Sequence, residues 1–212
     1  MEKIHQQRPE IIQFLQNNME EFFQNSCEKI QTELNINAEK IWDDFQTPIN
    51  RCLDKAKELQ HQNQKGSIQY LVFSMMQYGL CFDRIELRID ALDDGFYLDT
   101  QEASAHYYAD FLQDFFHKDL ESLYKKASEQ FVRIQHYEQV QIKKKYAEYY
   151  YSLLFHVVKE LIDLVYENVL DSGIPITDRF KIIFGEYMDN AVILHDEEAD
   201  NEILLNRDWR KK

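Results

Sequence analysis

The chain has 212 residues, 44% of them hydrophobic and 14% aromatic, with a formal net charge of −14. That much apolar material builds one sizeable core and argues against a disordered chain. The acidity argues against direct binding of nucleic acid, where affinity comes largely from neutralising phosphates. No apolar run reaches the roughly 18 residues of a membrane span.

The first nine residues, Met1 to Pro9, hold no apolar run, so no secretory signal is expected there. Pro9 suits a first helical turn. Ile11, Leu15, Met19, Phe22, Phe23, Ile30 and Leu34 recur at helical spacing and predict an amphipathic helix from Glu10 to about Leu34. Asn35-Ile36-Asn37 breaks it, and Asn37 suits the cap of the next helix. Ile41, Trp42, Phe45, Ile49, Leu53, Ala56 and Leu59 predict that second helix, with a kink or restart at Thr47-Pro48. The two helices read as an antiparallel hairpin over residues 1–65, and the polar run Gln60 to Gly66 is the best internal boundary.

Ile68 to Leu80 reads as a short buried helix, with a strand over Ile68 to Ser74 as the alternative. Ile85, Leu87, Ile89 and Ala91 then alternate with Arg84, Glu86, Arg88 and Asp90, the period of a half-buried strand. Asp94-Gly95 suggests a tight turn and Phe96-Tyr97-Leu98 a return strand, which predicts an antiparallel hairpin over residues 84–99. Asp99 with Glu102 resembles a capping box that opens a helix running to about Ala127. Phe131 to Val140 and Tyr146 to Leu170 read as further helices, the latter central to the core. After Ser172-Gly173-Ile174-Pro175, the β-like run Ala191 to Leu194 suggests a third strand beside the hairpin. The expected fold is α+β and predominantly α-helical: a helical bundle with one small antiparallel hairpin. It is read as a single domain, 1–212, with sub-units 1–65 and 67–212.

Cys27, Cys52 and Cys81 are far apart and odd in number, which points to reduced thiols and a cytoplasmic chain rather than disulfides or a zinc knuckle. Charge is segregated. Residues 83–121 carry eleven Asp/Glu against three Lys/Arg, whereas residues 122–146 carry six Lys/Arg against two Glu. Residues 195–202 add five acids and no base.

Two constellations carry chemistry. His106, Asp110, Asp114, His117 and Glu121 are spaced so that on a helix they fall within roughly 80° of arc. Imidazole and carboxylate donors in such a stripe suit a divalent transition metal such as Zn, Mn or Fe. The plain alternative is a solvated helix face. The second is the polar face of the hairpin: Arg84, Arg88, Asp90 and Asp99, a site for a polar small ligand or a set of surface ion pairs. A two-residue turn there places Asp90 opposite Asp99, an unfavourable pairing of like charges. Lys143-Lys144-Lys145 before Tyr146, Tyr149, Tyr150 and Tyr151 offers stacking and charge, but on an acidic chain it reads as a helix start.

With no catalytic signature, no cofactor motif and no catalytic residue singled out, the leading expectation is a non-catalytic adaptor or inhibitor-like, immunity-like module. Its expected partner is a basic protein, and a homodimer through the amphipathic helices fits as well. A metal-binding protein or metal-dependent enzyme and a small-ligand module are the alternatives.

Overall fold

The alternating run that begins at Ile85 does form a strand, but its neighbours are not those of a local hairpin. The structure, a computed structural model, describes residues 8–199. Its elements are α1 (Pro9–Ile36), α2 (Ala38–His61), β1 (Ile68–Met75), β2 (Glu86–Leu92), β3 (Ser104–Tyr108), α3 (Asp110–Gln130), α4 (His136–Glu160), α5 (Ile162–Asp171), β4 (Ile176–Glu186) and β5 (Ala191–Asp196). Short 3-10 turns lie at Gln77–Phe82 and Phe96–Leu98.

The five strands form one mixed sheet in the order β3-β2-β1-β4-β5. β1 is antiparallel to β2 and parallel to β4, and both outer pairings are antiparallel. The expected bundle with one small hairpin is therefore replaced by a five-stranded sheet, for three physical reasons. Ile68 to Met75 is the central strand. Leu71, Val72, Phe73 and Ser74 are buried in succession because both faces are covered, which erases the period that distinguishes strand from helix. Asp94-Gly95 does not close a two-residue hairpin. Gly95 sits at φ −70°, whereas such a turn needs positive φ, and Phe96–Leu98 coils into a 3-10 turn. The return strand is β3, so Asp90 stands opposite Ser104 and not Asp99. Finally, Ala191–Asp196 is a strand, but it pairs with β4 at the edge opposite β3.

Helix boundaries shift for equally local reasons. The helix expected from Asp99 starts only at Asp110, because residues 104–108 are spent on β3. The long helix expected to Leu170 is interrupted at Leu161, where α4 gives way to α5. α2 runs unbroken past Pro48, which is buried inside it.

The chain forms two compact units. The helical unit contains α1, the 77–85 segment, α3 and α4 up to Leu154. α1 packs on α3. Its core joins Ile30, Leu112, Phe116, Leu123, Ile142, Tyr146 and Tyr150, with Phe116 edge-on to Tyr150 at 5.2 Å. The sheet unit contains α2, the five strands and α5. α2 lays Phe45 onto the sheet, with ring centroids 5.4 Å from Phe73 and 4.9 Å from Tyr107. α5 lays Tyr166 beside Phe180 at 6.2 Å. Each fully buried ring contributes on the order of 2–3 kcal/mol from apolar area. The opposite face of β2 carries Glu86, Arg88 and Asp90, and that is where the polar chemistry of this unit concentrates. Among the described residues, no helix is long and apolar enough to cross a membrane.

Candidate functional site

Arg88 is the centre of the polar sheet face. Strand alternation puts it on the same side as Glu86 and Asp90, and register sets it opposite Ser74 on β1 and His106 on β3. Its Nε donates to both Asp90 carboxylate oxygens at 3.0 and 2.9 Å. Its Nη2 donates to Glu102 Oε1 at 2.9 Å. The Tyr187 ring lies 5.3 Å from the guanidinium, a cation–π contact. The hydrogen bond to Asp90 raises the guanidinium pKa further. The Ser104 hydroxyl, donating at 2.8 Å, and then Arg88 hold the Glu102 carboxyl below its ordinary value. Beside them, His106 Nδ1 lies 2.5 Å from Glu86 Oε1. Ser74 is buried against this network, and its Oγ has no hydrogen-bond partner among the described residues.

The four residues expected to form a ligand site do not converge. Arg88 and Asp90 form one ion pair. Asp99 belongs to another: it receives the fully buried Lys65 ammonium, which also donates to the Gln101 carbonyl at 2.8 Å. The second Asp99 oxygen accepts from the Gln101 N–H at 2.9 Å. Asp99 is thus the anchor of the 93–103 loop and not a helix cap. Arg84 is exposed and lies in the helical unit.

The metal stripe dissolves for a simple reason. His106 is on β3, so the helical spacing that aligned the five residues does not extend to it. Asp110 occupies the first turn of α3, and Asp114 and Glu121 are exposed on that helix. His117 Nε2 sits 2.7 Å from the Asp83 carbonyl oxygen and 3.0 Å from Gln113 Nε2. Among the described residues, no group of three or more His, Cys, Asp or Glu is arranged to hold a metal ion.

A buried polar cluster in the helical unit escaped the sequence reading. Asp119 on α3 accepts from Ser26 Oγ of α1 at 2.8 Å, and from the Tyr146 and Tyr150 hydroxyls of α4 at 2.5 and 2.8 Å. Burial first, and the adjacent carboxylate second, push both tyrosine pKa values up. Three donors on one carboxylate satisfy it and fix three helices in register, as a buried charge requires. The signal was present: Asp119 follows Phe116 by three and precedes Leu123 by four, a carboxylate inside an apolar stripe. Lys65 had no such signal, because a polar connector is where an exposed lysine is ordinarily found.

Among the described residues, the chemistry of these clusters is that of ion pairs and hydrogen bonds. No protein-family model, no curated protein and no solved structure matches this chain.

Proposed function

We propose that this chain is a non-catalytic protein-interaction module whose acidic sheet unit receives a basic partner. One observation carries the reading. The described part of the sheet unit holds nine Lys/Arg against 21 Asp/Glu, a net of −12, whereas the helical unit holds ten against 13, a net of −3. Five of those nine cations already sit in ion pairs: Lys57, Lys65, Arg88, Arg179 and Lys181. Asp43 and Asp44 on α2, and Asp163, Glu167 and Asp171 on α5, are exposed. Their field reaches into solvent, and such a field steers and selects a partner of opposite sign.

The test is capture of partners on the immobilised full chain, beside a variant carrying Asp163→Lys, Glu167→Lys and Asp171→Lys. A basic protein retained by the unaltered chain, released as salt rises and at least tenfold weaker on the variant supports the reading. Equal retention on both chains, or stoichiometric metal with turnover in the purified protein, overturns it.

A further inference from the structure

Resting on that reading, we infer that the β4–β5 hairpin is its docking edge, where a partner adds an extended segment with a short apolar core flanked by Lys or Arg alongside β5. The two edges of the sheet are built differently. At the β3 edge, Lys55 of α2 reaches across and donates to the Ser104 carbonyl at 2.5 Å. At the other edge, β5 pairs with β4 alone among the described elements. An edge strand with free main-chain groups is a template for another strand unless charge, proline or a covering element blunts it. Ala191, Val192, Ile193 and Leu194 supply neither charge nor proline.

The side chains fit the same reading. Val192 is 56% and Ile193 50% exposed, and Tyr187 and Met188 on the connecting turn are exposed too. Four large apolar side chains are thus exposed within seven residues of this edge. Val192 pairs with Phe184 and Ile193 with Ile183, so the two point to opposite faces of the sheet. A partner strand therefore meets them with adjacent apolar residues, one for each face. The register shift after Ile193 limits the regular ladder to its first residues, which makes that apolar core short. The charges on the hairpin are Asp178, Glu186, Asp189 and Asp196, against Arg179 and Lys181 near its start. Such a rim favours Lys or Arg on either side of the partner's apolar core and disfavours a second copy of this acidic chain.

The experiment uses the full chain and a blocked heptapeptide probe, Lys-Lys-Val-Ile-Val-Lys-Lys. The expected result is saturable binding that weakens with salt, with slowed hydrogen exchange of the β5 amides. Ile193→Lys weakens it about tenfold or more. Ile193 is half exposed, so the substitution leaves the fold intact by circular dichroism. Met188→Lys on the turn gives the same loss independently. The heptapeptide with proline in place of isoleucine, and the one with glutamates in place of lysines, do not bind. No binding up to about 1 mM, or equal binding of the proline peptide, overturns the inference. So does concentration-dependent dimerisation by light scattering that Ile193→Lys abolishes, because the edge then belongs to a second copy. A captured basic partner that is lost on the α5 charge reversal but kept on Ile193→Lys overturns the docking edge while leaving the acidic-module reading standing.

Discussion

Lys65 brings a full positive charge into the sheet unit, where its side chain has no exposed area and Asp99 retains 3%. An isolated buried ammonium is untenable, so the pair stands only because Asp99 and the Gln101 carbonyl both receive it. Lys65→Met keeps the stem but strands the carboxylate. It is expected to destabilise the fold by about 3–5 kcal/mol, read as a lower midpoint in urea unfolding. The three thiols follow the same logic of access. Burial raises the Cys52 pKa to about 12, and its Sγ donates to the Ala103 carbonyl at 3.1 Å. Burial, then the Asp119 charge, also raises that of Cys27, whereas Cys81 is exposed. In the native protein a disulfide reagent is expected to modify Cys81 rapidly and Cys52 only on unfolding; Cys81→Ser removes the fast phase. Fast labelling that survives Cys81→Ser contradicts this order of access. At this scale the sequence displayed Asp119, an acid in an apolar stripe, but not Lys65. Its burial depends on a loop thirty-four residues away in the chain.

Among the elements, the β4–β5 hairpin is held by a close approach. A Cβ at Gly185 would lie 2.3 Å from the Asn190 carbonyl oxygen and 2.5 Å from the Ala191 Cα. Both are backbone atoms and cannot yield without opening the hairpin. Gly185→Ala is expected to cost about 1–3 kcal/mol, and faster exchange of the β5 amides locates the damage. An unchanged melting temperature removes the packing argument. The helices α1 and α2 were legible because each keeps one apolar face at helical spacing. The strands were less so. β2 announced itself by alternation, while β1, buried on both faces, has the look of any short apolar run. His106 was misassigned for a related reason: five residues of β3 between a loop and a helix are too few to show a period.

For the whole molecule, charge sets the dependence on pH. Glu138 is held below its ordinary range chiefly by its hydrogen bond from Arg8, Asp196 by Lys181, and Glu102 by Ser104 and then Arg88. Each binds its proton more weakly folded than unfolded. Their stabilisation is therefore complete above the unfolded carboxyl values of about 4 and is lost as pH falls through the lower folded values. Urea midpoints are expected to be level near neutral pH and to fall below about pH 4. Lys181→Met, which removes the cause of the Asp196 depression, should flatten part of that fall; an identical pH profile refutes the assignment.

The sequence by itself determined the acidity of this protein, the faces of its first two helices and the strand at β2. These depend on composition and on neighbours a few residues apart. Only the tertiary structure decided that five strands make one sheet, that Asp99 belongs to Lys65, and that Asp119 gathers three helices. Parallel pairing of β1 with β4 joins residues more than a hundred positions apart. Such pairing rests on burial and register in three dimensions, which no local pattern records.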